Sequence, residues 1–287
     1  MITERELDIK ASEISAKTSP ASILILTASV SVYLLNIAAY HYKTYGYLSA
    51  ITVGAVCSYF MFAMMHDSLH GALLPKNKKL NNFIGVILGI TQNTHFESFK
   101  KRHNQHHLYA NSNRDPDLIF AQQGKYSHIF IVPFFIACLK LILALPKFIK
   151  TKIFKLIKGK PGAFLYLGNK DKDQVNLYRF TFIFSITSML LFGIDSIIPM
   201  LYSCSFLSIF IYNFMANWLP HETLFDREEE SVNKYKTAKS YSFPLSGLLM
   251  WGVDKHIIHH LYPQIQTANL RKFYLYAKPL IDKESLR

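Results

Sequence analysis

The stretch Tyr47–His70, YLSAITVGAVCSYFMFAMMHDSLH, decides how the chain is read. From Tyr47 to Met65 it carries no charged side chain, close to the ~20 apolar residues a helix needs to cross a hydrocarbon core. It then runs straight into His66 and His70, whose i, i+4 spacing puts both on one helical face. An apolar helix thus delivers two imidazoles to the point where it meets water.

Three further runs have the same character. Upstream, 21–40 (ASILILTASVSVYLLNIAAY) is almost uninterrupted apolar sequence, joined to the first stretch by the short aromatic link His41–Gly46. Such links are typical of an interface. Downstream, 178–192 and 197–218 form a second pair around the tight connection Gly193-Ile194-Asp195-Ser196. The expected fold is an all-α integral membrane protein with four transmembrane helices, interfacial helices and a cytoplasmic cap, in a single domain over 1–287. Residues 1–20 mix acids and bases and lack the basic start and apolar run of a cleavable signal. They are expected as a polar lead, partly ordered on a membrane surface. Leu80–Thr91 is apolar but too short to span, so it is expected to lie at the interface. Residues 127–146 are long enough to cross but contain Pro133 and Lys140. The cationic amphipathic run at 147–160 follows directly, and a crossing would place it outside, against the positive-inside rule. That segment is therefore expected to be re-entrant or interfacial.

Charge distribution supports the same topology. The net charge of +13 could point to nucleic acid. With four crossings, however, Lys43 is the only Lys or Arg left on the outer side, and attraction to anionic inner-leaflet lipid accounts for the rest. No nucleic-acid partner is expected. Cys57, Cys138 and Cys204 are scattered through apolar sequence without Cys-x-x-Cys spacing, so no disulfide framework or iron–sulfur site is expected. No internal repeat or low-complexity tract is visible.

Two more histidine clusters resemble the first. Arg102-His103-Asn104-Gln105-His106-His107 puts three imidazoles at i, i+3 and i+4, and His256-Ile257-Ile258-His259-His260 repeats the pattern. A fourth element, Asn217-Trp218-Leu219-Pro220-His221, closes the last crossing. The topology sends all of them to one membrane face, the cytoplasmic one. Neutral imidazole suits iron, zinc, copper or nickel, and eight or nine of them exceed what one ion can use. Two ions sharing the set is the economical account. Among the acids beside the clusters, Asp67, Asp115, Asp117, Glu222 and Asp254, we favour Asp67 and Asp254 as holders of ring N–H groups. Aromatics of the spans (Tyr59, Phe60, Phe62, Phe210, Tyr212, Phe214) are expected either to line an apolar channel or to pack against lipid.

HDSLH, HNQHH and HIIHH, set between paired hydrophobic hairpins, resemble the three His boxes of the membrane fatty acid desaturase/hydroxylase superfamily, over roughly residues 21–275. The resemblance implies a centre of two non-haem Fe at the cytoplasmic side of a four-helix anchor, with O2 as co-substrate. It implies His66, His70, His103, His106, His107, His256, His259 and His260 as ligands. In stearoyl-type members a further His follows an Asn by four residues; Asn217 and His221 match, implying His221 as a ninth ligand and Asn217 as the holder of a metal-bound water. The segment HHLYANSNRDPDL is similar to acyl-lipid desaturases, whereas the tail around Trp218-Leu219-Pro220-His221, Lys234-Tyr235-Lys236 and His256–Ile265 is similar to carotenoid ring hydroxylases. Glu222-Thr223 stands where related hydroxylase-like sequences often carry another His. The resemblance also implies a long lipid substrate, and electrons from a ferredoxin or small cytochrome with its reductase. Two other classes stay open. A zinc protease would want His-Glu-x-x-His, but Asp67 holds the Glu position. A metal transporter would place ionisable groups inside the spans.

Overall fold

The computed structural model describes residues 2–112, 114–117, 149, 172–221, 224 and 233–285. The segments expected at 127–146 and 147–160, and Glu222, lie outside these residues apart from Ile149. Among the described residues the secondary structure is helical, with one isolated bridge between Ser240 and Lys255. Among the described residues four helices are long and apolar enough to cross a membrane: α2 (Pro20–His41), α3 (Tyr47–Leu69), α6 (Lys172–Phe192) and the span Ile197–His221. That last span comprises α7 (Ile197–Tyr212), a π-helical turn at Asn213–Trp218 and one α-helical turn at Leu219–His221.

α3 is the axis of the bundle, packed against α2, α7 and the interfacial helix α4 (Lys78–Thr91). Its contact face is built from small residues, Ala50, Gly54, Ala55 and Ser58, all buried. Small side chains let helix backbones approach where lipid supplies no hydrophobic drive. A Cβ on Gly54 would lie 2.4 Å from Cys204 Sγ. Beside it, Asn36 Nδ2 donates to the Ala50 carbonyl at 3.1 Å. At the far end from the histidines the two hairpin tips are tied where Tyr40 donates its hydroxyl to the Asp195 carbonyl.

Two spans run past their apolar cores. α3 continues four residues beyond Met65, so His66 rides on its last turn and His70 caps it. In α6 the buried Gln174 bonds both the Asn93 carbonyl (3.3 Å) and the His95 N–H (2.8 Å) of the turn leading into α5 (Phe96–Tyr109). In α4, Asn77 accepts the Leu80 N–H at 3.0 Å as N-cap. One face of α4 exposes Phe83, Val86, Ile87 and Ile90, as an interfacial helix requires, while a Cβ on Gly85 would meet the Phe96 ring.

The polar lead forms a helix that packs on another part of the chain. Thr3 and Glu6 form a capping box that starts α1 (Glu4–Ser15). Leu7 and Ala11 then bury against Phe273 and Ala277 of the C-terminal helix α10 (Thr267–Glu284). An apolar stripe at i, i+4 is thus matched by protein. The remaining helices, α8 (Ser246–Leu249) and α9 (His256–Leu261), lie between the last span and α10.

Candidate metal centre

Four separate elements deliver histidines to one nest. α3 ends in His66 and His70, α5 carries His103, His106 and His107, the last span ends in His221, and α9 contributes His256, His259 and His260. Nitrogens of His66, His70, His103 and His259 lie within 4.8 Å of one another, and those of His106, His221, His256 and His260 do likewise. His107 stands between the two groups. Its ring centroid is 4.6 Å from those of His103, His259 and His260 and 4.9 Å from that of His70. Helix geometry explains the split of α5. At 3.6 residues per turn, positions i+3 and i+4 fall about 60° to one side and 40° to the other of position i, so one helix serves both groups.

The turn leading to His221 is wide rather than α-helical. Pro220 has no N–H to give to the Ala216 carbonyl, which sits inside that wide turn. π-Turns of this kind recur at functional sites.

Hydrogen bonds fix two tautomers. His106 Nδ1 donates to Asp115, at 2.9 Å to Oδ1 and 3.1 Å to Oδ2, and Asp115 also accepts the N–H groups of Asn111 (2.8 Å) and Asp117 (2.7 Å). Asn111 Nδ2 donates to the Thr237 carbonyl at 2.7 Å, so its Oδ1 is free to accept from His221 Nδ1 at 3.2 Å. With Nδ1 carrying the proton, Nε2 of both rings is left as a lone-pair donor.

The other nitrogens are not all paired by protein donors and acceptors. His66 Nε2 and His107 Nε2 lie 2.8 and 3.0 Å from the same atom, His103 Nε2. One proton cannot satisfy both contacts. His70 Nε2, His221 Nε2, His256 Nδ1 and both nitrogens of His259 and His260 are buried with no hydrogen-bond partner. Each such atom costs about 1–3 kcal/mol when left bare. The donor set therefore fits metal ions that take neutral nitrogen.

Electrostatics agrees. Burial, with Lys100 adding, brings His70 down to about 4, and burial followed by the neighbouring His106 brings His256 to about 3. His103, His107, His259 and His260 are held well below the ordinary imidazole value, first by burial and then by each other. These rings are neutral at pH 7. His106 alone is raised: burial pulls it down, but the Asp115 charge and hydrogen bond, with Asp117 behind, outweigh that.

Two expected supporting residues, Asp67 and Asp254, bond elsewhere. Asp67 follows His66 by one position, about 100° around the helix. It faces α10, accepting the Thr267 N–H (3.0 and 3.2 Å) and hydroxyl (3.1 Å), and so caps that helix from outside. Asp254 is bound by Ser246 Oγ (3.1 Å), Lys255 (3.4 Å) and Arg271 (3.2 Å). Asn217 donates to Asn213 Oδ1 at 3.0 Å across the wide turn. The His106 N–H is held instead by Asp115, weighed but not favoured in the sequence, and the His221 N–H by Asn111, which the sequence offered only as the Asn of the segment HHLYANSNRDPDL. Asn111 adopts φ 64°, a left-handed position that Asn tolerates. It ends α5 and folds the Asp115-Pro116-Asp117 turn back over the last histidines, where Arg102 pairs with Asp117.

The expected channel aromatics also divide differently. Tyr59, Phe62 and Tyr212 are buried in the core, with Phe62 and Tyr212 rings 3.9 Å apart. A cavity of about 490 Å3 opens instead between α2, α3, α4, α6 and α7, lined by Tyr33, Met61, Ile87, Phe184, Leu201 and Tyr202 among others.

Comparison with known proteins bears on this arrangement. The family model for fatty acid desaturase matches residues 43–287. Among curated proteins, the chloroplastic omega-3 fatty acid desaturase of Glycine max is 24% identical over 255 residues, covering 78% of this chain and 52% of that protein. The chain thus spans about half the length of the curated relative it matches.

Proposed function

The chain belongs to the fatty acid desaturase family, and from that premise we propose a membrane enzyme that oxidises an unactivated C–H bond of a fatty acyl chain with O2. One observation carries the reading: two four-nitrogen groups of buried histidines share His107 between them. His66, His70, His103 and His259 would hold one iron, His106, His221, His256 and His260 would hold the other, and His107 would serve either. Two non-haem irons, when bound, supply dioxygen-dependent hydrogen removal; the protein supplies the rest.

Asp115 and Asn111 keep the Nδ1 protons of His106 and His221 away from the metal side, so that Nε2 donates. Burial keeps the other rings neutral and excludes bulk water. The acyl tail lies in the 490 Å3 cavity, a volume within the usual range for ligand sites. Met61 on its wall is five residues, about 7.5 Å along the helix, from His66. Removal of two hydrogens from adjacent carbons gives a double bond, with O2, two electrons and two protons becoming two waters. Return of one oxygen to the carbon gives an alcohol. Placement of the substrate carbons decides between them. Electrons come from a ferredoxin or small cytochrome with its reductase, at the cytoplasmic face where the histidine-bearing end lies.

The test is expression with matching redox partners in a host that makes both saturated acyl lipids and β-carotene. New double bonds or hydroxyls in the acyl pool support the reading. Oxidised carotenoid alone would replace the acyl substrate with a ring hydroxylase substrate. No change in either pool by iron-loaded, inserted protein would remove both.

A further inference from the structure

The apolar island Phe243–Val253 has no part in the chemistry above. It forms a loop around α8, closed at its base by the Ser240–Lys255 bridge. Its tip turns large apolar side chains outward: Leu245 is 67% exposed, Leu248 56% and Leu249 48%. The tip is firmly held. Lys255 bonds the Tyr241 carbonyl and Ser242 Oγ, and Arg271 bonds Asp254 while packing so close to Gly247 that a Cβ there would lie 2.1 Å from Nη1. Leu245, Trp251 and Gly252 take positive φ, at 63°, 47° and 82°. For the two non-glycine residues this costs about 1–2 kcal/mol each, which the fold bears in order to show leucines to the outside.

Two observations say what covers them. The Trp251 ring meets the Phe60 ring edge-on at 5.8 Å. Phe60 lies six residues before His66, about 9 Å back along α3 from its histidine-bearing end. The loop therefore hangs beside a span at membrane depth. Its backbone is also fit for a dry place. N–H groups of Ser246, Leu248, Leu249, Met250, Gly252 and Val253 all close on carbonyls of the same loop, as non-water surroundings demand.

We infer that Phe243–Trp251 is a wedge inserted into the leaflet on the metal-centre side, its leucines among lipid acyl chains. The inference rests on the reading that α3 crosses a bilayer. Exposed Leu275, one turn beyond Arg271 on α10, extends the same apolar surface. The Arg271 side chain is half exposed beside it, placed to reach headgroup phosphate. The wedge seats the histidine-bearing end against the membrane from which a lipid substrate arrives.

The experiment places an environment-sensitive fluorophore at Leu248→Cys or Leu249→Cys, with Cys57, Cys138 and Cys204 replaced by Ala. The protein sits in phosphatidylcholine nanodiscs. Ile183→Cys, exposed midway along α6, is the bilayer control. The wedge predicts blue-shifted emission that a nitroxide at acyl carbon 5 quenches more than one at carbon 12, with iodide ineffective. Trp251 in the unaltered chain should respond to the same lipids, because Trp218, the only other tryptophan, is buried. Iodide quenching at 248 and 249 with lipid quenching at 183 would overturn the wedge and leave the membrane reading intact. Silence towards both quenchers at 248 and 249 would mean a protein partner covers the tip, and also overturns it. Iodide quenching at all three positions would overturn the membrane reading itself.

Discussion

Replacing Asp115 with Asn tests how the two metal positions differ. The carboxylate is buried and accepts from His106 Nδ1, Asn111 N and Asp117 N. An amide offers one acceptor oxygen, so at least one of these three donors loses its partner, at about 1–3 kcal/mol. Its NH2 group also confronts a donor. His106 loses the charge that raises it and the bond that fixes its tautomer. Removing such a partner typically weakens metal binding 10–100-fold. None of the contacts described for Asp115 reaches His66, His70, His103 or His259, so the penalty falls on one iron only. The assay is chelator competition on the protein in nanodiscs, following iron per chain. Asp115→Asn should release one iron at a chelator concentration about 10–100-fold lower than the unaltered protein, and the second iron at an unchanged concentration. Two irons leaving together at the original concentration, from a folded variant, would refute the division of the histidines into two groups.

His107→Ala should lower occupancy at both positions, whereas His70→Ala should lower one, read by iron per chain. Metal-stripped protein should lose stability in acid. Unfolded imidazole protonates near pH 6.5 but folded His70 and His256 only near 4 and 3. Between those values the unfolded chain binds more protons, so stability falls as pH drops below about 6.5, by up to about 1.4 kcal/mol per pH unit per histidine; a Tm flat from pH 7 to 5 would contradict it. Gly54→Ala should destabilise the bundle by about 1–3 kcal/mol, because its Cβ would meet Cys204 Sγ, and Gly54→Ala with Cys204→Ala should recover part of that loss in a detergent melt. Thr267→Val removes the hydroxyl bond to Asp67 but keeps the N–H bond, and should cost about 1 kcal/mol in the same melt.

Hydropathy made the four crossings legible because a bilayer imposes length and apolarity on each segment independently of its neighbours. Their ends were less so. The contacts near those ends depend on partners such as Gln174, whose role appears only when the turn at Asn93–His95 is in place. The histidines were legible as a set, since i, i+3, i+4 spacing survives in the sequence. Their division was not, because His103 and His106 share a helix yet lean to different groups. The supporting acid was misjudged for a related reason: adjacency in sequence favours Asp67, but one step along a helix turns it about 100° away. Asp115 reaches His106 only through the backward fold at Asn111, a left-handed residue whose conformation spacing does not reveal. The contact of α1 with α10 joins the two ends of the chain, and local pattern predicts the amphipathic stripe but not its partner.

The most direct test of the account is elemental analysis of the intact protein, purified in nanodiscs without chelator, for metal identity and number per chain. Two irons per chain are predicted, falling towards one when His106 or His221 is replaced by Ala. A single zinc, or no transition metal in a folded protein with all nine candidate ligand histidines present, would contradict it.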